Sequence, residues 1–201
     1  FEIFHDSLAE HGMLHQWKDF FMASGKLQAL CYKEEIEAAL RTPGIGGVQL
    51  LDLHDFPGQG TALVGVLDPF WDSKPYITPT EFRRFCNTTV PLARLLRRTW
   101  TTAETLTADV EVAHFGAAPL ENARPYWKVL ADDGRVVAHV ELPVQTLPIA
   151  LGTKLGQINL ALERLPAPKQ YKLVVGLKAT KFENDWNFWV YPAQLPPPPD
   201  D

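Results

Sequence analysis

The sequence predicts an α+β chain: a mainly helical α/β segment over residues 1–95, an antiparallel β-sandwich over residues 96–194, and a disordered Pro-rich tail at 195–201. Two periodicities carry this division. Up to about residue 95 apolar residues recur at spacings of three and four, as on one face of a helix. From Arg97 onward they alternate, as in strands with one buried face, and turn-forming clusters separate the runs.

Taken in order, Phe1, Phe4 and Leu8, then Trp17, Phe20 and Phe21, then more loosely Leu27, Leu30, Ile36 and Leu40, follow the helical spacing. The stretch "YKEEIEAALRTPG" is a helix with acids near its start, Arg41 in its last turn and a Pro-Gly stop. Gly46-Gly47 then opens "VQLLDL", too short for a helix that must end by Pro57, so a buried strand is expected. A second extended stretch, "TALVGVLD", leads to "ITPTEFRRFCNTT", where Thr78 is the N-cap, Pro79 the first helical residue and Glu81 the return arm of a capping box. Helix, strand, loop and helix is the order of an α/β unit.

The alternating runs are "RRTWT", "TLTADVEVAHF", "PYWKVLA", "RVVAHVEL", "KLGQINLALERL", "YKLVVGLKAT" and "WNFWVYP", punctuated by Asp132-Asp133-Gly134, Gly116-Ala117-Ala118-Pro119 and Pro166-Ala167-Pro168. Seven short strands in this length match an immunoglobulin-like sandwich, a domain of roughly 100 residues. Tyr171, following "LPAPKQ", stands where such a sandwich places a tyrosine corner. The four prolines of "PPPPDD" remove the amide donors a further ladder would need.

Composition narrows the function. With 46% hydrophobic residues the chain can fill a core, and a net charge of −5 without a basic cluster argues against nucleic acid and against an anionic membrane surface. No stretch reaches the roughly 20 apolar residues of a membrane span, and the first residues lack a signal-peptide pattern. Cys31 and Cys86 are too few for a disulfide framework or a metal cage, and both are expected to be buried thiols. No metal site and no cofactor are predicted.

The chemistry-bearing stretch is "GGVQLLDLHDFPGQG". Ligands of parallel α/β sheets bind beyond the carboxyl ends of the strands, where loops converge. Asp52, His54 and Asp55 lie at such an end and are the candidate substrate-binding residues: carboxylates and imidazole suit sugar hydroxyls, a metal or a proton. The competing role is local, with Asp52 capping a neighbouring loop and Asp55 holding the "FPGQG" turn through backbone amides. Glu34, Glu35 and Glu37 are expected on the solvated face of their helix, and Glu2 and Glu10 are likewise helical.

The stretches "FEIFHDSLAEHGML", "LCYKEEIEAALRTPGIGGVQLLDLHDFPGQGTALVGVLDPFWDSK" and "ITPTEFRRFCNTTVPLARL" resemble the last part of the catalytic (β/α)8 barrel of family 2 glycoside hydrolases, the group that includes β-galactosidases. "DVEVAHFG" and "FENDWNFWVYP" resemble the β-sandwich that follows that barrel. The resemblance implies that residues 1–95 are the C-terminal end of a TIM barrel, with "GGVQLLDLHDFPGQG" as its eighth strand. Such enzymes cleave with two carboxylates. The resemblance puts both glutamates before Phe1, so no catalytic residue is assigned here and Asp52, His54 and Asp55 inherit substrate contact only. It further implies a carbohydrate partner and a bacterial periplasmic or secreted setting. A single barrel strand has two unpaired edges. The missing barrel portion or another copy of the chain is therefore an expected partner. If the barrel is missing, Trp17, Phe20, Phe21, Phe70 and Trp71 are expected to be exposed or to form that interface, packing in the intact enzyme being the competing role.

A non-catalytic carbohydrate-binding or interaction module is the alternative. Trp127, Trp186, Trp189 and Tyr191 could present indole and phenol faces to sugar rings. In "DWNFWVY", Trp186, Phe188 and Val190 fall on one face and Asn187, Trp189 and Tyr191 on the other, and one of these must be core. Trp189 and Tyr191 are the sugar-stacking candidates. A sandwich that only buttresses the barrel is the competing role.

Overall fold

A computed structural model describes residues 2–59 and 63–194. The tail assigned to disorder lies outside the described residues. The protein is α+β, with helices and mostly antiparallel sheets, and divides into two compact units, Phe1–Ala39 with Gly46–Arg83 and Leu40–Ile45 with Arg84–Asp201.

The first unit is built on α1 (Glu2–Glu10), a 3-10 turn (Leu14–Gln16), α2 (Trp17–Leu40) and the start of α3 (Pro79–Phe85). The capping box of α3 forms as its residue types dictate. The Glu81 amide donates to Thr78 Oγ1 at 3.2 Å, and the Thr78 amide donates to Glu81 Oε2 at 2.8 Å. Gly25, poor in a helix interior, is explained by Tyr76: a Cβ there would lie 2.1 Å from the Tyr76 ring. Trp17, Phe20, Phe21, Phe70 and Trp71 are all exposed, as are Ile3, Phe4, Leu27 and Leu30.

Three expectations for this unit fail. Residues 46–53 form no strand, and Val48, Leu51 and Leu53 are exposed rather than buried. An apolar run becomes a buried strand only where neighbours flank it, and among the described residues the nearest pairing is a single parallel bridge just beyond this stretch, His54 to Leu67. Residues 63–68 of the second extended stretch likewise contribute isolated bridges, from Leu67 to His54 and to Ser73. Glu37 is fully buried and paired with Lys33 one turn earlier, whereas Glu34 and Glu35 are exposed. Cys31 is also exposed, and so, in the second unit, is Cys86, contrary to the expected buried thiols.

The second unit holds ten strands among the described residues: β1 (Thr89–Arg94), β2 (Thr99–Thr101), β3 (Thr105–His114), β4 (Leu120–Ala123), β5 (Pro125–Ala131), β6 (Val136–Glu141), β7 (Gln145–Leu147), β8 (Ala150–Ala161), β9 (Lys169–Leu177) and β10 (Glu183–Tyr191). They form sheets ordered β1-β3-β8 and β2-β10-β9-β5-β6, with β4-β7 as a separate pair. All pairings are antiparallel except β2 with β10. One apolar cluster joins the two larger sheets, with Leu106, Val110, Val112 and Ile158 from the first and Trp127, Val129, Leu173, Val175, Trp186 and Phe188 from the second. Two sheets sharing one core are the layers of a β-sandwich. Each fully buried large side chain contributes about 1.5–3 kcal/mol.

The seven predicted runs correspond to β2, β3, β5, β6, β8, β9 and β10. The sequence reading missed β1, β4 and β7: β1 precedes the expected change of texture and carries Pro91, while β4 and β7 are too short for alternation to register. The tyrosine corner is present. Tyr171, buried and stacked on Phe188 with centroids 5.6 Å apart, donates its hydroxyl to the Pro166 carbonyl at 2.7 Å.

Candidate functional site

In the first unit two segments of the chain, around Leu53–Asp55 and Gly65–Leu67, meet near the end of "GGVQLLDLHD". The Asp55 amide donates to the Leu67 carbonyl at 3.0 Å and the Val66 amide to the Leu53 carbonyl at 3.1 Å, while the Lys74 amide returns to Val66 at 3.1 Å. The segments approach so closely at Gly65 that a Cβ would lie 2.4 Å from the His54 carbonyl carbon. Only glycine fits there without displacing backbone.

Asp55 is buried beneath this crossing. Its Oδ1 accepts from the Gly65 amide at 2.9 Å and from Lys74 Nζ at 2.7 Å. These bonds make Asp55 a latch between three segments of the chain. Tyr76 extends the latch: its hydroxyl donates within reach of two acceptors, the Gly65 carbonyl at 2.9 Å and Gln28 Oε1 at 3.0 Å. Burial pushes the Tyr76 phenol above its ordinary range, and the Asp55 and Tyr32 charges push the same way. From α2, Tyr32 donates to the Val64 carbonyl at 2.9 Å, and Gln28 bonds the same carbonyl.

His54 and Asp52 face a different environment. His54 Nδ1 lies 2.7 Å from the Asp55 carbonyl, which can only accept, so Nδ1 carries a proton and donates to it. The imidazole packs on Trp71 with centroids 4.5 Å apart and planes tilted by 39°. Trp71 is thrust outward by a tight loop in which Asp68 Oδ1 accepts from the Phe70 and Asp72 amides at 2.9 and 3.0 Å. Asp52 (φ 62°) and Trp71 (φ 71°) both hold left-handed backbone, uncommon for residues other than glycine. Half-exposed Asp52 and His54, with Trp71 beside the imidazole, offer carboxylate, imidazole and indole to a ligand. Among the described residues no group of three or more His, Cys, Asp or Glu could hold a metal ion. No helix of the described residues is long and apolar enough to cross a membrane.

Sequence reasoning assigned no role at this site to Gly65, Lys74 or Tyr76, and placed Trp71 only at an interface. The partners of Asp55 lie 10 and 19 residues away, beyond any local pattern.

In the second unit the alternation in β10 is as expected, with Trp186, Phe188 and Val190 in the core and Trp189 and Tyr191 exposed on the outer face. Trp127 and Trp186 are buried, which removes both from the aromatic platform. Trp189 stands opposite Gln170 of β9 and Thr99 of β2.

The class these features define is an α+β chain pairing a helical unit with a β-rich unit of two sheets on one core. Residues 104–192 match the family described as a domain of unknown function, DUF8488. No curated protein matches. Similar solved structures include the alpha-2-macroglobulin of E. coli, at 16% identity and TM-score 0.39 over 51% of this chain and 6% of that one. The Parabacteroides merdae β-glucuronidase is 16% identical, with TM-score 0.37 over 52% of this chain and 14% of that one. A family 123 glycoside hydrolase from Clostridium perfringens is 11% identical, with TM-score 0.35 over 55% of this chain and 28% of that one.

Proposed function

We propose that this chain is a portion of a family 2-like glycoside hydrolase acting on β-linked sugars, in which the first unit is the end of a (β/α)8 barrel and the second an immunoglobulin-like sandwich. It contributes part of the substrate-pocket rim and is not catalytic alone. The observation that carries this reading is the stretch 46–53: rich in apolar residues yet exposed, it runs through Asp52 to His54, which packs beside an outward-facing Trp71. A segment of that composition fits between parallel neighbours as a strand, and the exposed aromatics of α2 fit against such a sheet. Asp52 and His54 then contact sugar hydroxyls, and Asp55 holds the rim in shape through Lys74 and the Gly65 amide.

The test compares hydrolysis of aryl β-glycosides by this chain and by a form extended at its N-terminus by the barrel portion. The chain alone is inert and the extended form turns over. An extended form inert on every β-glycoside tried would remove the reading.

A second reading rests on the exposure of Trp189 and Tyr191 along one strand face: a non-catalytic carbohydrate-binding module. Glycan-array binding lost in Trp189→Ala supports it, and an array with no bound glycan removes it.

A further inference from the structure

The outer face of the five-stranded sheet carries a concavity of about 320 Å3 lined by Tyr126, Lys128, His139, Lys178 and Thr180. Strand register builds it. Glu183, Gly176, Tyr126 and Glu141 stand opposite one another across β10, β9, β5 and β6, so the side chains of Glu183, Tyr126 and Glu141 share a face. Gly176 leaves room for its neighbour: a Cβ there would lie 2.6 Å from Tyr126 Oη and 2.9 Å from Cε1. The Tyr126 ring therefore reclines over β9 rather than standing off the sheet.

Polar groups ring that aromatic surface. Tyr126 Oη donates to Glu183 Oε2 at 2.6 Å, and Lys128 Nζ donates to the same oxygen at 3.2 Å. Opposite them Lys178 pairs with Glu141, and the His139 ring lies 5.8 Å from that of Tyr126. Burial, then the hydrogen bond and charge of Glu183, push the Tyr126 phenol far above its ordinary range, so it stays a donor at neutral pH.

The charges select the ligand class. Each lysine already faces a carboxylate, so an anion entering here must compete with Glu183 or Glu141. A neutral polyol competes with neither, since its hydroxyls accept from ammonium groups and donate to carboxylates, while its C–H face packs on a phenol ring. The volume is at the small end of ligand sites, the size of one or two sugar rings.

We propose that this concavity is a subsite for a neutral pyranose, with Tyr126 as the stacking surface and the Lys128–Glu183 and Lys178–Glu141 pairs as hydroxyl partners. It uses neither Asp52 and His54 nor the side chains of Trp189 and Tyr191, which stand farther along β10 on the same outer face, and it goes beyond the glycosidase reading, standing or falling separately from it.

The test is a 1H–15N titration of the 201-residue chain with methyl β-D-galactopyranoside, methyl β-D-glucopyranoside, sodium D-glucuronate and inorganic phosphate. At least one neutral glycoside shifts the amides of Tyr126, Lys128, His139 and Lys178 to Thr180 saturably, with a dissociation constant on the order of 1–10 mM, as expected for one ring. Tyr126→Ala weakens binding by about tenfold or more, Tyr126→Phe retains it within a few-fold, and Trp189→Ala leaves it unchanged. If Tyr126→Ala does not fold, Lys178→Ala at the exposed rim supplies the same reading through a loss of about threefold or more. Saturable shifts with glucuronate or phosphate alone, neutral binding indifferent to these variants, or no saturable shift with either glycoside would each overturn the proposal.

Discussion

Tyr171→Phe isolates one hydrogen bond in the sandwich. The substitution keeps the ring stacked on Phe188 and removes only the hydroxyl that donates to Pro166 at 2.7 Å. Two effects set the magnitude. An intramolecular hydrogen bond contributes about 0.5–1.5 kcal/mol net, while a stranded buried acceptor costs about 1–3 kcal/mol. Pro166 is exposed, so water can reach its carbonyl and the smaller effect governs, giving a loss of about 1 kcal/mol and roughly 4 °C in Tm. Urea unfolding followed through the buried Trp127 and Trp186 measures it, with the slope m unchanged. The phenol adds a pH signature. Burial raises it above its ordinary 10.0, so its contribution is present below pH 10 and is lost as pH rises through the folded value. Tyr171→Phe therefore also flattens the alkaline fall in stability. A variant as stable as the parent at neutral pH, or one destabilised by more than about 3 kcal/mol, would refute this account of the corner.

Gly65→Ala forces the crossing at His54 apart, because backbone rather than a flexible side chain meets the new methyl. A local loss of about 1–3 kcal/mol follows, and hydrogen exchange reports it as faster exchange at the Asp55 and Val66 amides with β9 and β10 unaffected. Asp185 lies 2.8 Å from Arg84 and 3.1 Å from Lys172. Burial alone raises its carboxyl, but Arg84 and Lys172 outweigh burial and hold it below 3.8, so its contribution is present above that pH and lost as pH falls through the folded value. Asp185→Asn then costs about 1–2 kcal/mol at pH 7, since both cations are partly solvated, and the difference from the parent shrinks below pH 4 in acid unfolding.

Where a pattern and its partner lie close in sequence, the structure follows the sequence closely. The capping box of α3 needs only Thr78, Pro79 and Glu81, the tyrosine corner needs a turn five residues before Tyr171, and alternation in β10 separates Phe188 from Trp189 without reference to anything else. Legibility ends where distant residues decide. Glu37 is fully buried, although its spacing from Lys33 is that of an ordinary surface pair. Residues 48–51 carry the composition of a buried strand, and among the described residues no strand flanks them. At the candidate site Asp52, His54 and Asp55 stood out as a triplet, yet their environments diverge. Lys74 and the Gly65 amide draw Asp55 inward, while a bond to the Asp55 carbonyl orients His54 beside Trp71.

The central claim is that Asp52 and His54 form the rim of a sugar pocket and take no part in bond cleavage. The most direct measurement is the kinetics of 4-nitrophenyl β-glycoside hydrolysis by the N-terminally extended protein carrying Asp52→Ala or His54→Ala. The account predicts KM raised by about tenfold or more with kcat within a few-fold of the parent, the signature of lost substrate binding. A kcat reduced by about a thousandfold at unchanged KM, or measurable turnover by the 201-residue chain alone, would contradict it.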